Sequence, residues 1–427
     1  MMKFNDLDIL DEIKKAVSEM GFKNTTPIQK EAIPLGLKGR DITAQAQTGS
    51  GKTLAYSIPI LQKIFIADKS PQAIILCPTR ELCIQVAGEI EKLGKYIKKF
   101  KVLAVYGGQP IGKQTRVLKK GVHVVVGTPG RVIDHIQRGN LELIGIESVV
   151  LDEADEMLDM GFREDIETIL KDTPHQRQTL LFSATIPHEI KKIAKNYQKN
   201  PKFIKIKSNK KTTPKITQYS FRTNPKYKFK DLCMLLEAYD VKSALIFCST
   251  KKGVDFVFKN LKKNDYSSDA LHGDMTQKIR DQVMNRFRNG NVNYLVATDV
   301  AARGLDISNL DVIVNYDVPQ NFDDYIHRIG RTARAGNAGF AFTLVTSRDS
   351  FLFENIKRKS NVKIIEKDLP TDKEMNALKN QIILDKVKNS IKNDNLDDYL
   401  KIIKNNSTKD FTVDEMAAGL LKMMREN

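Results

Sequence analysis

The sequence has few cysteines and no long apolar run. Three of the four cysteines stand in or beside apolar runs, and none shows metal-ligand spacing: Cys77, Cys83, Cys233 and Cys248. We therefore expect buried, reduced thiols and a cytoplasmic location. No stretch approaches the roughly 18 consecutive apolar residues of a membrane span. Residues 1–17 are acidic and amphipathic, which predicts a helix and not a signal peptide.

The charge balance is strongly basic. The 427 residues include 69 Lys or Arg and 52 Asp or Glu, which gives a net charge of +17. This excess favours a polyanionic partner, most simply nucleic acid, although acidic lipid or plain solubility would also account for it. The last sixty residues or so carry about equal numbers of acids and bases, so we expect the polyanion site in the preceding region.

Apolar runs alternate with helical patterns along most of the chain, which predicts two α/β domains with parallel sheets. The strand-like runs are 41–46, 73–78, 101–105, 123–127, 148–152 and 179–184, then 243–249, 269–273, 293–299, 311–317 and 340–345. The polar, basic stretch 205–217 separates them and is the best linker candidate. We expect one α/β domain over 1–207, a linker over 208–215, a second α/β domain over 216–366 and an all-helical tail over 367–427.

The segment AQTGSGKT, residues 46–53, follows a predicted strand and opens a predicted helix. Glycines at 49 and 51 let backbone N–H groups wrap a polyphosphate, and the start of a helix adds partial positive charge. Lys52 would reach the β- and γ-phosphates, and the Thr53 hydroxyl would ligate Mg²⁺. Ala46 replaces the first glycine of the usual pattern. We interpret the segment as a nucleotide site; a purely structural glycine turn is the alternative.

Three carboxylates follow the strand at 148–152, where acids capping the next helix would be the simplest explanation. In a nucleotide-binding protein, however, the second nucleotide motif is expected about 100 residues after the first. Asp152 would then hold Mg²⁺ largely through water. Glu153 would orient and deprotonate the attacking water. Asp155 would connect the site to other elements.

With these motifs the chain resembles a DEAD-box RNA helicase over residues 4–346, which implies two tandem RecA-like domains that bind ATP and Mg²⁺. The stretch 21–29 resembles the adenine-reading Q motif, in which Gln29 pairs with the base and Phe4 packs near it. The resemblance assigns the nucleotide to Phe4, Phe22, Thr26, Gln29, Gln47, Thr48, Gly49, Ser50, Gly51, Lys52, Thr53, Gly304 and Asp306.

Other segments match family elements that grip the RNA sugar-phosphate backbone, and their glycines and arginines suit that role. In the first half these are Pro78, Thr79, Arg80, Gly107, Gly108, Thr128, Pro129, Gly130 and Arg131. In the second half they are Gly273, Gln277, Arg280, Thr298 and Asp299. Each motif alone would be an ordinary turn; together they imply contact with RNA, mainly through phosphate and 2′-OH groups.

The stretch 327–336 resembles the segment that supplies two arginine fingers to the γ-phosphate, here Arg331 and Arg334. We predict that it is helical, so that their i, i+3 spacing puts both guanidinium groups on one face. His327 would act with them in catalysis. The resemblance assigns the coupling of hydrolysis to strand separation to four residues: Asp155, Ser183, Thr185 and Arg328.

We interpret Cys248 as a buried strand thiol.

The resemblance implies an RNA-dependent ATPase that closes its cleft on single-stranded RNA and unwinds short duplexes locally. The helical tail resembles the dimerisation module of some bacterial cold-shock-type members, so we expect a homodimer through 367–427. A helical cap packed on its own core is the alternative. Relatives often carry a further RNA-binding domain, and none is visible in this sequence. Two other functions remain as alternatives: a double-stranded DNA translocase, and an RNA scaffold without turnover.

Overall fold

The computed structural model describes residues 2–46, 49–206, 216–302, 310–332, 339–360, 363–393, 395–408 and 412–426. The chain divides into two compact units. The domain boundaries that we predict stay a prediction, and the predicted linker at 208–215 lies outside the described residues. No helix within the described ranges combines the length and hydrophobicity needed to cross a membrane.

The first unit contains a parallel sheet of seven described strands in the order β3-β4-β2-β5-β6-β1-β7. The strands are β1 (Ile42–Gln45), β2 (Ala73–Leu76), β3 (Val102–Val105), β4 (Val124–Gly127), β5 (Ser148–Leu151), β6 (Gln178–Ser183) and β7 (Lys202–Lys205). The helices are α1 (Asp11–Glu19), α2 (Pro27–Leu37), α3 (Lys52–Lys63), α4 (Arg80–Leu93), α5 (Ile111–Lys119), α6 (Pro129–Gln137), α7 (Ala154–Asp159), α8 (Arg163–Asp172) and α9 (His188–Tyr197), after a short 3-10 helix at Phe4–Asp6.

The second unit repeats this plan in the order β10-β11-β9-β12-β13-β8-β14. Its strands are β8 (Ile216–Arg222), β9 (Ala244–Phe247), β10 (Ser268–Leu271), β11 (Tyr294–Ala297), β12 (Val312–Asn315), β13 (Gly339–Val345) and β14 (Ile365–Lys367). Its helices are α10 (Lys228–Ala238), α11 (Lys251–Lys263), α12 (Gln277–Arg288), α13 (Asp299–Ala302), α14 (Phe322–Ile329) and α15 (Ser350–Lys359).

The central strands are buried on both faces, because helices cover both sides of each sheet. That burial explains why they appear in the sequence as continuous Val, Ile and Leu runs. Each fully buried aliphatic side chain contributes about 1.5–3 kcal/mol to folding. The two predicted parallel sheets and the RecA-like fold class are confirmed.

All eleven predicted strands are present, with bounds that agree to within two residues. Three further strands, β7, β8 and β14, were not predicted from the sequence. In β7 and β14 most side chains are exposed, since both strands end their sheets. In β8 polar residues interrupt the apolar ones, and the predicted linker stretch 205–217 overlaps the first two residues of this strand.

The predicted helical tail consists of α16 (Asp372–Asn393), α17 (Asp397–Asn406) and α18 (Val413–Glu426). Helix α16 packs against α10 and α18. Helix α17 has no buried residue. Much of the apolar face that the sequence shows is exposed to solvent, at Leu384, Ile391, Tyr399, Leu400, Leu420, Met423 and Met424.

Candidate functional site

The glycine turn after β1 leads into α3, as the sequence predicts. Gly49 and Gly51 have φ angles of +79° and +90°, which L side chains rarely adopt. A Cβ atom on Gly51 would lie 2.5 Å from Nε2 of Gln29. Glycine is therefore required at position 51 by both backbone conformation and space. Gln47 and Thr48, also predicted nucleotide contacts, lie outside the described residues.

Lys52 is the first residue of α3 and is only 6% exposed. Its Nζ lies 3.9 Å from Oδ1 of Asp152 and makes no hydrogen bond with any described residue. A buried ammonium group with its donors unused is costly unless an acceptor completes the site. Phosphate oxygens are such acceptors, so the cradle fits the polyphosphate that the sequence predicts.

Asp152 and Glu153 follow β5 directly, beside this lysine. Oδ2 of Asp152 accepts a hydrogen bond of 2.9 Å from the Tyr56 hydroxyl, and Oδ1 accepts one of 3.0 Å from the Glu153 N–H. Burial, and then the Asp152 carboxylate, raise the pKa of Tyr56 well above its usual range, so Tyr56 remains the donor. Glu153 has a φ of +49°, the left-handed conformation that non-glycine residues adopt at a cost of about 1–3 kcal/mol and that clusters at functional sites.

The described residues contain no group of three or more His, Cys, Asp or Glu side chains that could hold a metal ion. Asp152 and Thr53 are therefore a sparse ligand set. Such a set suits Mg²⁺, which keeps several waters and takes its other ligands from phosphate.

Asp155 is bonded to the predicted coupling segment after β6. Its Oδ2 accepts hydrogen bonds from the Thr185 N–H, at 2.7 Å, and from the Thr185 hydroxyl, at 2.9 Å. The Asp155 N–H donates to Oγ of Ser183 at 3.2 Å. These hydrogen bonds connect the two segments, and their coupling role stays a prediction.

Gln29 joins the predicted adenine-reading segment to the glycine turn. Its Oε1 accepts from the Thr26 N–H at 2.8 Å, and its Nε2 donates to the Gly51 carbonyl at 3.0 Å. One acceptor lone pair and one donor hydrogen of the amide remain for a base edge. Phe4, which the resemblance puts near the base, is 2% exposed and packs in the core, and its contact with the nucleotide stays a prediction. Phe22 is 45% exposed and is the accessible aromatic of this segment.

The predicted RNA contacts of the first unit lie on the loops after β2, β3 and β4. Thr79 accepts from the Leu82 N–H and begins α4, followed by Arg80. The Arg80 guanidinium lies 4.7 Å from the centre of the Tyr106 ring. Gly108, with a φ of +80°, leaves room for it, since a Cβ there would lie 2.3 Å from Nη1 of Arg80. The remaining first-half residues are placed on these loops and helix starts: Pro78, Gly107, Thr128, Pro129 and Gly130.

Arg131 is held by a hydrogen-bond network that the sequence pattern does not predict. Its Nη1 donates to Oε1 of Gln114 and to the Gln109 carbonyl, both at 3.2 Å. The same Gln114 oxygen lies 2.9 Å from Nε2 of the buried His135, and Nε2 of Gln114 donates to the Tyr106 carbonyl at 3.0 Å. Burial, and then the Arg131 charge, lower the pKa of His135. Gln114 therefore links the loop after β3 to the loop after β4.

Strand order separates the two kinds of predicted site along the sheet edge. The nucleotide and coupling segments follow β1, β5 and β6, which are adjacent in the sheet. The RNA segments follow β2, β3 and β4, which are also adjacent. Because carboxyl ends of parallel strands share one edge, each set of loops forms a continuous surface.

In the second unit, the predicted RNA contact Asp299 and the predicted coupling residue Arg328 bind each other. Nε of Arg328 donates to Oδ1 of Asp299 at 2.5 Å, and Nη2 donates to Oδ2 at 2.8 Å. Nη1 also donates to Oδ1 of Asn315 and to the Asp317 carbonyl. Arg328 is 2% exposed and lies over the Phe247 ring. Its visible role is structural, and the RNA and coupling roles of this pair stay predictions.

The prediction of one helix bearing both arginine fingers is wrong. Helix α14 ends at Ile329, and Gly330 follows as its cap, so His327 and Arg328 are helical while Arg331 lies in a turn. The Arg331 N–H bonds to the Arg328 carbonyl at 3.2 Å. The helical-face argument therefore fails for Arg331. Arg334 lies outside the described residues, as do Gly304 and Asp306.

The other predicted RNA contacts of the second unit follow β10 and β11, which are neighbours. Gly273 lies in the loop after β10, and Gln277 begins α12. Nη2 of Arg280 donates to the Ala301 carbonyl at 3.3 Å, and the Thr298 N–H donates to the Leu271 carbonyl at 3.3 Å. Cys248 is buried, as predicted, and burial raises the pKa of its thiol.

Sequence comparisons identify three regions. Residues 26–193 match the DEAD/DEAH box helicase family, and residues 227–336 match the helicase conserved C-terminal domain. Residues 370–427 match the RNA helicase DeaD dimerization domain.

Individual relatives and solved structures agree with these matches. The chain is 44% identical to the DEAD-box ATP-dependent RNA helicase CshA of Geobacillus kaustophilus, over 100% of this chain and 91% of that protein. It is 44% identical to the ATP-dependent RNA helicase CshA of Listeria monocytogenes, over 99% of this chain and 81% of that protein. The structure of S. cerevisiae Dbp5 bound to RNA and ADP BeF3 matches with a TM-score of 0.78 at 32% identity, over 89% of this chain and 99% of that one.

Proposed function

The chain belongs to the DEAD-box family of ATP-dependent RNA helicases, and we propose that it hydrolyses ATP on binding RNA and thereby unwinds short RNA duplexes locally. The observation that carries the proposal is the buried Lys52, with no hydrogen bond to any described residue, beside Asp152 and Glu153. These three side chains are what phosphoryl transfer from ATP to water requires: a charge for the phosphates, a metal ligand and a base for the water.

We propose that ATP lies along the glycine turn, with its base near Gln29 and its phosphates at Lys52. Thr53 and Asp152 would hold Mg²⁺, which neutralises charge on the phosphates when bound. Tyr56 orients the Asp152 carboxylate by its hydrogen bond. Glu153 would take the proton of the attacking water.

We propose that RNA binds the loops after β2, β3 and β4 through its sugar-phosphate backbone. Arg80 and Arg131 supply the charge there, and Gly108 lets the strand approach the backbone. Such contacts give little sequence preference. The similar Dbp5 structure, bound to RNA and ADP BeF3, supports this proposal.

The resemblance assigns Arg331 and Arg334, in the second unit, to the γ-phosphate. We therefore propose that hydrolysis requires both units, and that ATP and single-stranded RNA favour the same closed state. Their coupling must then be reciprocal, so each ligand raises the affinity for the other.

The test is ATP hydrolysis with and without single-stranded RNA, for the wild type and for Glu153→Gln. We expect strong RNA stimulation, its loss in Glu153→Gln, and retained RNA binding by that variant. The matched control is Glu164→Gln, an exposed residue of α8, which should behave as the wild type. Hydrolysis that is indifferent to RNA would refute the helicase proposal and leave an ATPase. RNA binding without turnover in the wild type would favour the scaffold alternative.

We propose that the tail forms a homodimer. The match of residues 370–427 to the DeaD dimerization domain supports this, as does the exposed apolar face of α17 and α18. The double variant Leu420→Glu, Met423→Glu should be monomeric by light scattering. The control Lys401→Glu changes an exposed charged position of α17 and should remain dimeric. A monomeric wild type would favour the helical cap instead.

We also propose a cytoplasmic location, which the four free cysteines support. Fractionation of cells that make the tagged chain should recover it with cytoplasmic markers, and recovery from outside the cytoplasm would contradict this.

A further inference from the structure

Residues 92–133 form a long stretch without acids. They include ten Lys or Arg residues and no Asp or Glu. At the average acid content of this chain, a stretch of that length would carry about five acids. The stretch covers the end of α4, the edge strand β3, helix α5 and strand β4.

Helix α5 runs from the predicted RNA-binding loop after β3 to the opposite edge of the sheet. Strands β3 and β4 are parallel neighbours. The helix between them therefore begins at the carboxyl edge, just after Gly107 and Gly108, and runs back to the amino edge. Its nine residues span about 13 Å.

The exposed side of α5 carries four basic residues around Val117, which is 38% exposed. Lys113, Arg116, Lys119 and Lys120 are exposed, and we call them the α5 basic face. Their spacing of three, four and seven residues places them on one side of the helix. None of their side chains makes a hydrogen bond or ion pair with a described residue. Lysines that serve only solubility are commonly interspersed with acids, which reduce the mutual repulsion; the stretch 92–133 contains no acid.

The opposite side of α5 fixes the helix against the predicted RNA grip. Gln114 is 3% exposed and bonds both Arg131 and the Tyr106 carbonyl, so the α5 basic face is held in a fixed position relative to these loops. A loosely attached basic helix would lose this orientation. The face is thus continuous with the surface to which RNA is assigned.

Further bases lie where α5 ends. Lys98, Lys99 and Lys101 are exposed at the start of β3. The Lys101 carbonyl accepts a hydrogen bond of 2.9 Å from the N–H of His123, three residues after Lys120. The basic surface therefore extends from the carboxyl edge of the sheet to its amino edge.

We propose that the α5 basic face binds the phosphates of an RNA segment that extends beyond the strand held by Gly108 and Arg131. The inference rests on the proposed function, which places RNA at those loops. It adds a second contact that only RNA longer than the central site can reach. Affinity should therefore increase with RNA length.

The test compares two fluorescent single-stranded RNAs, of about six and about 20 nucleotides, by anisotropy with Mg²⁺, ADP and beryllium fluoride. The variant carries Lys113→Gln, Arg116→Gln and Lys120→Gln. Glutamine keeps helix propensity close to that of Lys and Arg. The matched control removes three exposed lysines of α9 by Lys191→Gln, Lys192→Gln and Lys195→Gln, with the same change in net charge. Circular dichroism checks that each variant is folded.

The release of counterions on binding phosphates sets the expected size of the salt effect. When the logarithm of the affinity is plotted against the logarithm of the salt concentration, three phosphate contacts to a single strand steepen the slope by about 2. Between 50 and 200 mM salt, wild-type affinity for the longer RNA should then fall about 20-fold more than that of the α5 variant. Short-RNA affinity should be the same in wild type and variant.

Three outcomes would overturn the proposal. Wild-type protein that binds both RNAs with equal affinity and salt slope has no second contact. If the α9 control lost as much affinity for the longer RNA as the α5 variant, the effect would come from net charge alone. If the α5 variant lost the same affinity for short and long RNA, the helix would be part of the central RNA site at Gly108 and Arg131. Failure of the wild type to bind either RNA would instead refute the proposed function itself.

Discussion

The pairing of Asp299 with Arg328 allows a direct test between structural and RNA-binding roles. In Asp299→Asn the guanidinium keeps its bonds to Asn315 and the Asp317 carbonyl but loses its anionic partner while buried. Breaking a buried ion pair by removing one partner costs about 3–5 kcal/mol. The two remaining bonds favour the lower end of that range, about 3 kcal/mol.

For a unit of this size, about 3 kcal/mol corresponds to a melting temperature lower by about 6–12 °C. The assay is thermal unfolding of the full chain without ligand, with hydrogen exchange to assign the change to the second unit. The control Asp323→Asn removes an exposed carboxylate of α14 and should shift melting by much less. An unchanged melting temperature together with weaker RNA binding would refute the structural reading and favour direct contact between Asp299 and RNA.

Three further predictions concern buried polar contacts of the first unit. Tyr56→Phe removes a hydrogen bond to the Asp152 carboxylate and should lower the free energy of unfolding, measured by urea denaturation, by about 1.5–3 kcal/mol. An unchanged free energy of unfolding would contradict a stabilising contact. Gln114→Met removes one of the two hydrogen-bond acceptors that hold the Arg131 guanidinium and should weaken RNA binding about tenfold, or by about 1.4 kcal/mol, while the rate at saturating RNA is retained. A lower saturating rate alone would contradict this. The pKa of His135 is lowered in the fold, so the unfolded chain binds more protons and stability falls as pH drops below about 6.5. His135→Gln should flatten that slope in urea titrations at several pH values, and an unaltered slope would exclude His135 as its source.

The sequence predicted the sheets well because buried parallel strands have a strong local signature. The residues 124–126, for example, are all valine, and both faces of the strand they form are buried. Strand β8 lacks that signature: Gln218 and Ser220 interrupt it, although both side chains are buried. The paired strands β13 and β14 complete its surroundings, and pairing across more than a hundred residues leaves no local pattern.

The residues of the candidate site were likewise only partly predictable from the sequence. Lys52, Asp152 and Glu153 stand in motifs, and short spacing predicts their placement at strand ends. Tyr56 and Gln114 were missed because their partners lie 96 and 17 residues away and nothing in their local sequence marks them. The buried amide of Gln114 offered only a weak signal, as a glutamine on the apolar side of an amphipathic helix.

The sheet register suggests how the RNA and nucleotide surfaces of the first unit communicate. Strands β2 and β5 are neighbours, with Leu76 beside Leu151. The N–H of Asp152 donates to the Leu76 carbonyl at 3.0 Å, two residues before Pro78 begins a predicted RNA segment. If RNA moves that segment, the movement would reach Asp152, the proposed Mg²⁺ ligand, through one backbone hydrogen bond and a buried strand pair. Since close-packed strands deform little, a displacement at one strand end is transmitted to its neighbour and is not absorbed between them.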